Sequence, residues 1–191
     1  MKTIDKLLRR WRVNVALKAV PNQVKAIFDI GCDDGYLFNR IDDGKMRLDG
    51  CDPRLSANSV SANSTLLQGF FPSVMEDSQH CNSYDVIFAL AVFEHFTEAD
   101  LTESSHRIAQ MLKDNGRLIV TIPHPFVDNI LDVLMFLKLI DGQALEEHHG
   151  FDPDTLAMVL SKGLKLKTRK KFQSGLNNLF VFEKEVDTKQ A

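Results

Sequence analysis

Cysteine is scarce in this chain. The 191 residues hold three, Cys32, Cys51 and Cys81, with no C-x-x-C pair and one left over from any pairing. That excludes a disulfide framework and a thiolate zinc site, and it predicts a reducing, cytoplasmic setting. The N-terminus lacks an uninterrupted apolar segment of the kind that forms a secretory leader. No apolar run approaches the ~20 residues that cross a bilayer, so stable membrane insertion is not expected. Internal repeats and low-complexity linkers are absent. So is the G-x-G-x-x-G spacing of a dinucleotide turn.

What is present is an ordinary soluble composition, 44% apolar and 26% charged, in a length that suits one domain, residues 1–191, with a proper core. The formal charge of −3 is unevenly spread. Residues 1–20 carry +5 and residues 161–191 carry +5, leaving −13 for residues 21–160. An acidic centre argues against a nucleic-acid groove. The basic ends read first as solvated faces.

The segment Phe28-Asp29-Ile30-Gly31-Cys32-Asp33-Asp34-Gly35 reads as a strand, a tight turn and a helix start. Glycine lets a ligand approach bare backbone, and a helix N-terminus offers free N–H groups. Asp52, at the end of the next apolar run, is a second carboxylate roughly 20 residues on, which suits a ribose diol. The combination points to a nucleoside cofactor.

The rest of the chain alternates strands and helices. Ile4, Leu7, Leu8, Trp11 and Val15 recur at helical spacing, which predicts an amphipathic cap helix within residues 1–20. Strands are expected at Ala26–Ile30, Arg47–Asp52, Ser64–Leu67, Tyr84–Ala91 and Arg117–Ile122. Helices are expected over Gly35–Asp42, Ser56–Ala62, from the Thr97 cap to Asp114-Asn115-Gly116, over Phe126–Ile140, and from Asp152-Pro153 to Gly163. The lysine-studded strand Leu164–Phe172 suits a sheet edge, and the uniformly apolar Leu179–Phe182 suits the interior. The final strand therefore inserts beside the edge.

This pattern resembles the class I S-adenosylmethionine-dependent methyltransferases. The D-x-G-x-x-x-G run of Asp29, Gly31 and Gly35 is similar to their motif I, with Asp33 where the middle glycine is usual. A negative φ at that position would suit a small polar residue. The resemblance covers about Ala26 to Glu183. It implies a Rossmann-like α/β three-layer sandwich, with a seven-stranded, mostly parallel sheet and an antiparallel strand inserted beside the edge. It implies S-adenosyl-L-methionine as cofactor, whose positive charge suits the acidic centre. By position, Asp29 resembles the residue that holds the cofactor's ammonium. Gly31 and Gly35 resemble the glycines under its methionine part, with Cys32 and Asp33 between them. Asp52, followed by Pro53, resembles the residue that grips the ribose. Phe70 stands where an aspartate often meets the adenine, so stacking or a backbone carbonyl must substitute. Leu90 and Ala91 end the fourth strand, where ligands bind in open α/β sheets.

The Asp/Asn-Pro-Pro-aromatic motif of many base N-methyltransferases is absent. In its place stands Ala89-Leu90-Ala91-Val92-Phe93-Glu94-His95. This predicts a small-molecule acceptor and no nucleic acid. Candidate bases are His95, His124 and the His148–His149 pair, His149 foremost, because histidine titrates near neutrality without tuning. Oxygen is thereby favoured over nitrogen as the acceptor atom. No metal is expected. Residues 123–151, with their many-sided apolar helix, read as the substrate side, and the protein as a monomer or homodimer. The rival reading is a non-catalytic protein of this fold that binds the cofactor or a partner. A nicotinamide oxidoreductase is disfavoured by the glycine spacing.

Overall fold

The computed structural model describes residues 3–75, 80–123 and 153–185. In chain order these form α1 (Thr3–Leu17), β1 (Ala26–Ile30), α2 (Phe38–Ile41), β2 (Arg47–Asp52), β3 (Ser59–Val60) and β4 (Ser64–Gln68). There follow β5 (Tyr84–Leu90), α3 (Glu98–Met111), β6 (Leu112–Pro123), α4 (Pro153–Leu160), β7 (Lys165–Phe172) and β8 (Asn177–Glu183). The strands make one sheet in the order β3-β4-β2-β1-β5-β6-β8-β7. Neighbours from β4 to β6 run parallel, and β8 lies antiparallel to both β6 and β7. The expected insertion of the last strand inside the lysine-rich edge is therefore present.

Continuous burial explains the central strands. All five residues of β1 are buried, because helices cover both sheet faces. On one face Phe28, Ile30, Ile87, Val120, Phe180 and Phe182 pack under α3 and α4. On the other, Ile27, Leu48, Phe88, Ile119, Leu179 and Val181 meet Val13 and Ala16 of α1 and Phe38 of α2. Edge strand β7 is mostly exposed, and Lys165, Lys167 and Arg169 pair with Glu185, Glu183 and Asp154.

Four expectations need correction. The sheet has eight strands, not seven. The predicted helix over Ser56–Ala62 is not formed; Ser59 and Val60 pair antiparallel with Leu66 and Thr65. Serine and asparagine, which fill this segment, compete for backbone hydrogen bonds and weaken a helix. The edge of β4 meanwhile offers unpaired ladder groups, and Asn58 Oδ1 accepts the Gln68 N–H at 2.7 Å. Helix α2 spans four residues and begins at Phe38, not Gly35. The third helix stops at Met111, short of Asn115, whose φ is +61°.

A fifth correction concerns α1. Its expected inner face included Leu7 and Trp11, yet these are 62% and 47% exposed. Val13 and Ala16 are buried instead. Two arginines account for the rotation: Arg9 pairs with Asp34, and half-buried Arg12 lies within reach of the Glu94 charge. The basic N-terminal face is thus partly an inward, paired one.

Helix α3 begins as expected. The Thr97 hydroxyl accepts the Asp100 N–H at 3.2 Å, and the Asp100 carboxylate accepts the Thr97 N–H at 3.1 Å. This reciprocal cap satisfies two N–H groups that the helix leaves unpaired. Thr97→Ala should cost ~1 kcal/mol in equilibrium denaturant unfolding. An unchanged midpoint would mean that packing of Leu101 and Ile108 alone sets the helix start.

Candidate functional site

The site lies where β1 ends. Cys51 O of β2 accepts both the Gly31 N–H, at 2.8 Å, and the Cys32 N–H, at 3.1 Å. The chain is thereby pulled across the carboxyl end of β2 as it leaves the sheet. Gly31 has φ +75°, and a Cβ built there would sit 2.5 Å from Val92 Cγ2. Glycine is thus required twice, by backbone angle and by the loop after β5. Asp33 and Gly35 also have positive φ, +48° and +71°. Asp33 therefore lacks the negative φ that would suit a small polar residue there. Three left-handed residues in five cannot start a helix, which is why α2 begins late and gives Gly35 no helix N-terminus.

Two carboxylates flank this turn on one sheet face. Asp29 and Asp52 are both buried, in adjacent strands. Asp52 Oδ2 accepts the Asp33 N–H at 2.9 Å, and Oδ1 accepts the Arg54 N–H at 2.8 Å. The Asp33 side chain turns outward between two cations, 3.6 Å from Arg9 and 3.5 Å from Arg54. Arg9 also stacks over the Tyr36 ring, 4.4 Å from its centroid. Helix α1 is thus clamped onto the turn, as a partial cover.

Electrostatics distinguish the acids. Burial, then the neighbouring Asp52 charge, raise the Asp29 carboxyl well above the usual carboxylate range, and Arg9 offsets this only in part. Burial and the same carboxylates push the Cys32 thiol up to about 12. Cys32 is a neutral wall residue and not a nucleophile.

The other predicted positions surround the turn. Pro53 is exposed just beyond Asp52. Phe70 is 70% exposed while its neighbour Phe71 is buried, so the Phe70 ring presents a free face. Leu90 and Ala91 are half-buried at the end of β5. Ala91 has φ +60°, and its N–H donates to Thr121 O at 2.9 Å. A left-handed non-glycine residue at a strand's carboxyl end marks a constrained, site-like position. His95 is exposed on a short 3-10 turn, Phe93–His95, whose Phe93 and Glu94 are buried. His124, His148 and His149, the helix Phe126–Ile140 and the substrate-side region after Pro123 lie outside the described residues. Among the described residues no group of three His, Cys, Asp or Glu side chains could hold a metal, and no helix is long and apolar enough to cross a membrane.

Sequence reading missed Gly50, Arg9 and Arg54. A Cβ on Gly50 would lie 2.9 Å from Asp29 O, so that glycine lets the two acid-bearing strands approach. Its place in Leu48-Asp49-Gly50-Cys51-Asp52 was the available signal. The arginines carried none, since only the fold brings them to Asp33.

The raised Asp29 carboxyl has a stability consequence. In the folded, unliganded chain the neutral acid is favoured, so its contribution is full below the ordinary value of 3.8. It declines as pH rises from there through the raised native value, then levels off. Denaturant unfolding from pH 4 to 8 should show wild type losing stability relative to Asp29→Asn as pH rises. Parallel curves for the two proteins would contradict this assignment.

Residues 28–118 match a protein family described as a methyltransferase domain. No curated protein matches the chain. Among solved structures, the N-methyltransferase NodS from Bradyrhizobium japonicum WM9 aligns with 95% of this chain and 99% of its own, at 14% identity and a TM-score of 0.66. Its complex with S-adenosyl-L-homocysteine aligns with 92% of this chain and 86% of its own, at 15% identity and a TM-score of 0.61. The (4+2)-cyclase SpnF aligns with 93% of this chain and 80% of its own, at 13% identity and a TM-score of 0.62. At such identities the structural likeness speaks for the fold alone. The sheet order and the turn from Gly31 to Gly35, with the match over residues 28–118, give this chain the Rossmann-like fold of S-adenosylmethionine-dependent methyltransferases.

Proposed function

We propose that the protein transfers a methyl group from S-adenosyl-L-methionine to a small-molecule acceptor, oxygen being favoured over nitrogen. The observation that carries this reading is the placing of buried Asp29 and Asp52 on one face, either side of a turn whose backbone is bare. An acid whose carboxyl is raised by burial fits a cationic partner, because an ammonium beside Asp29 would favour its charged form. When bound, the cofactor supplies an activated methyl group on a sulfonium that leaves as a neutral thioether.

The chain's own residues then have positioning roles. Asp29 holds the ammonium, and the Gly31–Gly35 backbone lies along the methionine part. Asp52 accepts from the ribose hydroxyls. A carboxylate offers about four lone-pair sites, and the Asp33 and Arg54 N–H groups with Arg54 Nε take three, which leaves room for a further donor. The exposed Phe70 ring supplies a stacking face for adenine. Leu90 and Ala91 border the reacting centre, where alignment and exclusion of water are the main contributions. His95 takes the acceptor's proton.

A second reading, a protein of this fold that does not transfer methyl groups, draws on the Asp33 and Phe70 departures. SpnF, a cyclase by name, has a similar fold. Asp33 no longer weighs for it, because Arg9 and Arg54 hold that carboxylate away from the turn.

Calorimetric titration with S-adenosylhomocysteine tests the cofactor site. Micromolar binding is expected, with a proton released as Asp29 ionises, so the heat should vary with buffer ionisation enthalpy. Asp52→Ala should abolish binding, and Phe70→Ala should weaken it by ~1–3 kcal/mol, the value of base stacking. No binding to millimolar concentration in a folded sample would overturn the reading. For catalysis, His95→Ala should lower turnover ~10²–10⁴-fold with cofactor affinity unchanged. Unchanged turnover would remove His95 from the mechanism.

A further inference from the structure

Beyond Ala91, on the same sheet face as Asp29, two buried side-chain oxygens have no hydrogen-bond partner among the described residues: Thr121 Oγ1 and Asn177 Oδ1. Both residues are more than nine-tenths buried. Thr121 pairs in register with Leu90 of β5 and Leu179 of β8, and Asn177 pairs with Pro123 two residues along β6. Alternation therefore points Thr121, Leu90, Leu179 and Asn177 to one face. Asn178 points to the other and takes no part.

The orientation of the Asn177 amide is fixed from outside. Gln173 Nε2 donates to Leu8 O of α1 at 3.2 Å. A carbonyl can only accept, so Gln173 turns its Oε1 toward Asn177. That oxygen accepts from Asn177 Nδ2 at 2.5 Å, which leaves Asn177 Oδ1 facing away from the relay. Gln173 itself sits at φ +52°, with Ser174 at +56° following it. Backbone strain of this kind persists where the surroundings demand it. Here it delivers one amide to the underside of α1.

We infer that Thr121 and Asn177 read the methyl acceptor, and that the acceptor is a small neutral molecule with paired hydrogen-bond donors, hydroxyl or amino, on an apolar body. This rests on the methyltransferase reading above. The proposed cofactor positions span β2, β1 and the end of β5, so the acceptor must lie on the β6–β8 side. Strands β6 and β8 stand about 5 and 10 Å from β5, within reach of a small molecule. Asn177 Oδ1 can only accept, and Thr121 Oγ1 keeps two lone pairs beside its own O–H, so a ligand that donates to both satisfies them. Leu90 and Leu179 flank Thr121 and provide the apolar wall. Arg12 of α1 and Glu94 after β5 lie within electrostatic reach of one another. Gln173 acts as a positioning residue through Asn177.

The test titrates the full chain, saturated with S-adenosylhomocysteine, with 2-aminophenol and with 1,2-difluorobenzene, which has the same shape and no donors. The Thr121 methyl and Asn177 side-chain amide resonances report binding. Expected is a preference of about tenfold or more for 2-aminophenol, cut about tenfold by Thr121→Val and restored by Thr121→Ser. The melting temperature of Thr121→Val should not fall, because the variant removes an unpaired buried oxygen. Gln173→Leu, on a different element, should also weaken 2-aminophenol and shift the Asn177 amide signal. Equal affinity for both probes, binding of neither at millimolar concentration, or a preference untouched by both variants overturns the inference. The S-adenosylhomocysteine affinity in the same samples reports on the cofactor site separately. Its absence with the probe preference intact overturns the methyltransferase reading and leaves the donor-reading pair standing.

Discussion

The crossing from β1 to the site turn rests on one carbonyl and one missing side chain. Cys51 O receives two consecutive N–H groups, and Val92 occupies the space where Gly31 would carry a Cβ. The first contact fixes β1 to β2, and the second fixes β1 to the loop after β5. Three strands are thus locked at their carboxyl ends. Asp29, Asp52 and Ala91 are held around the same point, on rigid strand ends and not on a mobile loop. A methyl group at Gly31 would push Val92 away and loosen the whole edge, which is why a single glycine carries so much of the arrangement.

The strands were legible because burial on both faces writes itself as continuous apolar runs. Ala26–Ile30 and Tyr84–Leu90 needed no tertiary knowledge, and the lysine alternation of β7 against the apolar β8 disclosed the insertion. Asp29, Gly31 and Asp52 were legible for a related reason: their roles depend on spacing within one β-turn-β unit. What failed was what depends on partners distant in sequence. Ser59 and Val60 form a strand only because β4 has a free edge. Leu7 and Trp11 are exposed only because Arg9 pairs with Asp34 and Arg12 lies within reach of the Glu94 charge. Helical periodicity sees an apolar stripe and has no means of weighing it against an ion pair that the fold creates. The positive φ of Asp33 was illegible for the same reason, since the Asp52 carboxylate that holds its N–H is nineteen residues away.

Asp33 shows how a departure from a pattern can be absorbed. A carboxylate in a turn meant for bare backbone would crowd a ligand if it pointed inward. Its positive φ, with the N–H bonded to Asp52, sends the side chain out between Arg9 and Arg54. These surface pairs contribute little to stability individually. Their consequence is geometric, because they keep the turn's inner surface free of side chains and tie α1 down over it.

The two ends of the sheet handle buried polar groups differently, and the difference locates function. Toward the amino ends, Asp49 accepts from Tyr84 Oη at 2.8 Å and from the Thr65 N–H at 2.9 Å. Asp85 accepts from the Lys25 and Ala26 N–H groups and from Lys113. Those acids are satisfied by the protein itself. At the carboxyl ends burial raises the Asp29 carboxyl well above the usual carboxylate range, and Thr121 and Asn177 keep unpaired oxygens. Unsatisfied buried polar groups cost stability, so a fold that satisfies one edge and not the other concentrates that cost where a ligand would relieve it. A ligand at the carboxyl edge would relieve that cost, which is an energetic argument for the proposed site apart from any likeness of shape. Its acids and its neutral oxygens fall on different strands, as a cationic cofactor beside a neutral acceptor would require.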